Sequence, residues 1–69
     1  MKLIINCKDI HTKRFVKEHI ENNFDNEVSS IINKIIVYGN VTELNRIEDK
    51  VFIATEMWND IKINSIEMI

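Results

Sequence analysis

The sequence is short of the residues that interrupt or cross-link a chain. It has no proline, a single glycine (Gly39) and a single cysteine (Cys7). One thiol cannot close an internal disulfide, so a cross-linked scaffold is excluded. Collagen-like repeats and flexible linkers are excluded by the near absence of Gly and Pro. No apolar run approaches the ~18 residues of a membrane span, and Leu3–Ile5 is too short for a signal-peptide core. No phosphate-cradling glycine motif is possible with Gly39 alone. There is no Ser/His/Asp signature, and the only metal-ligand candidates beyond carboxylates are Cys7, His11 and His19. No metal or cofactor is therefore expected, and no enzymatic activity.

What remains is a chain of 69 residues, 45% hydrophobic and 29% charged, with a net charge of −2. Those values suit one small folded domain rather than a disordered segment. At this size a hydrophobic core alone rarely supplies more than about 3–5 kcal/mol. With disulfides excluded, association with itself or with another protein is the expected supplement. Fourteen Ile and nine Asn, both with A/T-rich codons, point to an A/T-rich genome such as that of a phage or mobile element. With no targeting segment, a soluble cytoplasmic protein is expected, without a membrane partner.

Lys2–Lys8 alternates as a strand, with Leu3, Ile5 and Cys7 on one side. Asp9 stands where a carboxylate caps a helix, with Thr12 as a second candidate. Val16, Ile20 and Phe24 then recur every four residues along one helical face. Arg14/Glu18 and Lys17/Glu21 are spaced as ion pairs on the outer face. Asp25–Gly39 reads two ways. Val28, Ile31, Ile32, Ile35 and Ile36 match helical spacing, while Ile31–Tyr38 is β-branched. The spacing favours a helical start near Glu27, an extended end near Tyr38, and Gly39 as a helix stop. Val41–Ile47 and Lys50–Trp58 flank the polar pair Glu48-Asp49 and read as a hairpin, its second strand apolar on both sides. Asn59-Asp60 marks a turn. A strand follows from Ile61, with a change of phase at Asn64-Ser65 that signals a bulge. The expected fold is a small single α+β domain of order β-α-(α)-β-β-β. Its sheet is mainly antiparallel, with one or two helices packed on one face.

Four groups of residues are candidates for function. Cys7 and the histidines lack a third ligand and a catalytic signature, and Cys7 reads as a small core hydrophobe. Lys8, Lys13, Arg14 and Lys17 give the first 17 residues a local positive balance and suggest a nucleic-acid-binding homo-oligomer as an alternative function. The chain as a whole is acidic, which counts against that reading. Glu48, Asp49 and Glu56 belong to an acidic second half, suited to steering toward a basic partner. Tyr38, Met57, Trp58, Ile66 and Met68 form an apolar group, rich in residue types that favour interface cores. Together they suggest a non-enzymatic interaction module, an inhibitor or regulator that binds another protein or itself. A small ligand held between subunits is a further alternative.

Overall fold

A computed structural model describes residues Met1–Ile69. The elements are β1 (Lys2–Cys7), α1 (Ile10–Asn23), β2 (Val28–Ile31), β3 (Lys34–Tyr38), α2 (Val41–Met57) and β4 (Ile63–Met68). The expected α+β class holds: a four-stranded antiparallel sheet carries two helices on one face. The strands lie in the order β2-β3-β1-β4, every neighbour antiparallel. This is the split β-α-β arrangement called ferredoxin-like, a topology that carries no function by itself. No helix is long and apolar enough to cross a membrane.

The first third of the chain folds as its pattern dictates. Leu3, Ile5 and Cys7 of β1 are buried. Asp9 caps α1, its Oδ1 accepting the Thr12 backbone N–H at 2.8 Å. Thr12, Val16 and Ile20 form the buried stripe of that helix. The Phe24 N–H closes the helix on the Ile20 carbonyl at 2.9 Å.

Asp25–Gly39 is a β-hairpin, not the start of a second helix. Ile35 and Val37 are buried while Lys34, Ile36 and Tyr38 point away from the core. Alternation within each short strand prevails over the helical spacing, which arose by counting across a turn. The turn is Ile32-Asn33, and Ile32 adopts φ 54°. Gly39 does not stop a helix either. A Cβ there would lie 2.6 Å from Asn26 Nδ2, which donates to the Tyr38 carbonyl at 3.0 Å. Glycine permits that close approach.

The larger correction concerns Val41–Met57, which is one 17-residue helix rather than a hairpin. Glu48-Asp49 lies in its middle. Asn40 caps it with a reciprocal pair: Asn40 Oδ1 accepts the Glu43 N–H at 2.9 Å, and the Asn40 N–H donates to Glu43 Oε1 at 3.0 Å. This is a capping box. Leu44, Ile47, Val51 and Ala54 are buried at helical spacing. The apolar residues on both parities of Lys50–Trp58 reflect a broad helical apolar surface.

The C-terminal strand follows expectation except at its start, which is Ile63 rather than Ile61. Asn59-Asp60 is a turn, and the register of β4 on β1 shifts opposite Asn6 and Cys7, between Ile63 and Ser65. The bulge keeps Ile63, Ile66 and Met68 on the helix-covered side, where all three pack against the core. That core joins Leu3, Ile5, Ile35 and Val37 of the sheet to Val16 and Ile20 of α1 and Leu44, Ile47 and Val51 of α2. The opposite sheet face carries no helix. The register places Ile36, Ile4 and Glu67 in one row across it, and Lys34, Asn6 and Ser65 in the next.

Candidate protein-interaction surface

β4 is an edge strand, bonded on one side only. Lys2 and Ile69 exchange both backbone hydrogen bonds at 2.9 Å. In an antiparallel ladder such bonded pairs alternate with unbonded ones. Glu67 therefore directs its backbone groups toward β1, as Ile69 does. Ile66 and Met68 direct theirs outward, to the free edge. β4 is six residues long, contains no proline or lysine, and has Glu67 as its only charge. Those are the features by which protected edges normally avoid pairing, and this edge has few of them.

A groove runs beside this edge. It holds about 400 Å³ and is lined by Phe52, Thr55, Ile61, Lys62, Ile63, Ser65 and Ile66. Phe52 is 57% exposed and forms its outer wall from α2. Glu48, Phe52 and Thr55 fall on one stripe of the helix, spaced by four and three residues, with Glu56 one turn beyond Phe52. The groove thus has an apolar floor and a hydrogen-bonding edge, and its one charged lining residue is Lys62. Glu48 and Glu56 stand one turn to either side of Phe52 on α2.

The turn into β4 is pinned. The Lys62 N–H donates to the buried Thr12 Oγ1 at 3.2 Å. His11 Nε2 meets Asp60 Oδ2 at 3.1 Å. Trp58 packs edge-on against Phe15, their centroids 5.9 Å apart, and Phe15 stacks on His19 at 6.3 Å. These contacts tie the start of β4 to α1.

The structure brings some of the candidate residues together and separates others. Ile66 lines the groove, with Glu48 and Glu56 on the same flank of α2. Met57 is 72% exposed and Trp58 51% exposed at the end of that helix, but Trp58 leans toward α1 rather than into the groove. Met68 pairs with Leu3 on β1. Tyr38 stands apart, opposite Lys2 on the uncovered sheet face. Asp49 lies on the other flank of α2, beside Phe24, Arg46, Lys50 and Ile53. The acidic residues thus sit along a helix, not around a hairpin. Phe52 was missed, because its role is visible only once Val41–Met57 is read as helical. Its spacing from Glu48 and Thr55 is the signal that marks it.

Lys13, Arg14 and Lys17 lie on α1, and Lys8 just before it. Lys17 Nζ pairs with Glu21 Oε2 at 3.6 Å. The N-terminus of α1, where an anion would bind, is filled by the Asp9 carboxylate. The Thr12 backbone N–H, followed by its hydroxyl, holds that carboxyl below its ordinary range. Cys7 is buried, and desolvation first, then the Asp9 charge, pushes its thiol up to about 11. At neutral pH it is a protonated core side chain rather than a nucleophile. No cluster of three or more His, Cys, Asp or Glu side chains converges as a metal site would require. No family model, no curated protein and no solved structure matches this chain.

Proposed function

We propose that this chain is a protein-interaction module, without chemistry of its own, that regulates a polypeptide partner by occupying it. The partner contributes an extended segment that pairs with the free edge of β4 and places an apolar side chain in the Phe52 groove. Main-chain hydrogen bonds supply affinity in such strand addition, and the pocket supplies specificity. The observation that carries this reading is the unprotected edge of β4 running beside an exposed phenylalanine. Glu48, Glu56 and Glu67 favour a partner segment bearing Lys or Arg.

The test is selection from a library of displayed peptides, with Ile66→Pro and Phe52→Ser as comparators. The Ile66 N–H points outward, so proline there removes a donor from the free edge and spares the ladder to β1. Enriched peptides should combine an apolar residue with basic neighbours and lose binding to both variants. Peptides that bind both variants as well as the parent would refute the assignment of the surface. A library that yields no binder at all would refute the reading itself.

A further inference from the structure

We propose that the strand that completes β4 is β4 of a second copy, antiparallel across a two-fold axis at Ile66. The inference rests on the reading of β4 as a strand-accepting edge and names a self-paired state of that edge, distinct from the basic foreign segment proposed above, since β4 carries no Lys or Arg. Its argument is the register. In an antiparallel pair the bonded partners must both direct their backbone groups across the new seam. On this edge those residues are Ile66 and Met68; at Asn64 the bulge breaks the alternation. Three two-fold registers of the required parity place Ile66 opposite a residue of β4.

One centres on Glu67 and sets two carboxylates directly opposite each other, which is repulsive. A second centres on Ser65, pairing Ile66 with Asn64 at the bulge, where the ladder is already irregular. The third centres on Ile66 and pairs Ile66 with its own copy and Ser65 with Glu67. Its central bonded pair, unlike those of the Ser65 register, does not draw on the bulge; the third register reaches the bulge only at its ends, where Asn64 meets Met68. Only this register puts apolar on apolar at the axis and leaves no like charges opposed. Its side-chain chemistry also matches. Ser65 Oγ already accepts from Asn6 Nδ2 at 2.8 Å, so its hydroxyl proton is free to donate to the Glu67 carboxylate of the other copy. The two-fold axis makes that bond twice. On the helix side, the grooves of the two copies merge across Ile66, and each Phe52 covers apolar surface of both.

The contact is a strand edge and one helix flank, at the low end of interface size. A reversible, concentration-dependent dimer is expected, with a mass moving from 8.2 kDa to twice that value as concentration rises. Light scattering across a dilution series tests the dimer. Ile66→Pro should weaken it by about tenfold or more, since the central pair loses hydrogen bonds. Cysteine cross-linking tests the register. Ser65→Cys combined with Glu67→Cys should oxidise to a covalent dimer, while either substitution alone should not. Cross-linking by Ser65→Cys alone, or by Glu67→Cys alone, would identify one of the other registers and overturn this one. A dimer indifferent to Ile66→Pro would place the contact on another surface and overturn the inference. A monomer at every concentration would also overturn it, and the peptide selection then decides separately whether β4 accepts a foreign strand.

Discussion

Proline at Asp49 separates the two readings of the second half of this chain. If Glu48-Asp49 were a hairpin turn, Asp49 would lie outside the strand ladder, and proline there would remove no backbone hydrogen bond of the kind a helix interior depends on. In the structure Asp49 lies well inside α2, with helix on both sides. Proline there removes the hydrogen bond to the Asn45 carbonyl and drives its ring against that carbonyl. The cost is about 3 kcal/mol or more. The Asp49 side chain is exposed, so little of the effect comes from lost packing. Asp49→Ala is the control and should stabilise by a few tenths of a kcal/mol through helix propensity. A core of this size supplies about 3–5 kcal/mol in total. With a urea dependence of about 1 kcal/mol per molar, the proline variant should move its midpoint down by about 3 M, to between about 0 and 2 M, and lose helical circular dichroism already in dilute urea. A proline variant as stable as Asp49→Ala would refute α2 and restore the hairpin.

Two further outcomes follow from local geometry. Ile32 holds φ 54° while 78% exposed, so it pays for a left-handed backbone and packs against little. Ile32→Asn should raise stability by about 1 kcal/mol, because asparagine tolerates that region; an unchanged urea midpoint would show that the turn carries no strain. Asp9 has its pKa lowered from 3.8 in the folded chain, first by the Thr12 backbone N–H. A lowered folded value means that its contribution is present above the unfolded pKa and is lost as pH falls through the folded one. Urea midpoints measured between pH 7 and pH 2 should therefore decline less steeply for Asp9→Asn, which keeps a capping oxygen but does not titrate. Equal acid slopes in the two proteins would remove Asp9 from the account.

The sequence was most readable where one period operates without competition. In β1 the alternation of Leu3, Ile5 and Cys7 has no helical rival. In α1 the spacing of Val16 and Ile20 follows directly on the Asp9 cap. The bulge in β4 was legible because a phase slip is local and needs no partner to be seen. Both failures came from apolar residues in surplus. Val28 to Ile36 fits a helix only if the turn at Ile32-Asn33 is counted as part of it, and an isoleucine in a left-handed turn gives no glycine or asparagine signal at that position. Val51 to Met57 fits a strand because Phe52, Ile53 and Met57 are apolar without being buried. The decisive sign was available at Asn40 and Glu43, a polar pair three residues apart ahead of Leu44 and Ile47. Read as a capping box, it would have set the helix and brought Phe52 beside Glu48 and Thr55.

Where the surplus apolar surface lies decides which part of the molecule is best suited to a partner. Only 13 of the 69 residues are buried, so much of the apolar content stays at the surface. On the uncovered sheet face Ile4 and Ile36 are half-buried already and Ile31 is exposed only at the β2 edge, with Lys2, Lys34 and Glu67 on neighbouring positions. Long lysine stems can lie over such surface while their ammonium groups stay in water. That face can remain wet. β2 is the other edge, but it is only four residues long, and it follows the carboxylates of Asp25 and Glu27. Short edges with charges nearby resist pairing. β4 is longer, with six residues, a single charge at Glu67 and its bulge confined to its start. Its outward N–H and C=O groups, those of Ile66 and Met68, flank a single charge, Glu67, and Phe52 adds exposed aromatic surface within the same groove. For a solitary chain this combination invites uncontrolled pairing. A strand seated on β4 satisfies the backbone groups and covers the ring together, which is why the interaction is assigned to this edge rather than to the broader open face.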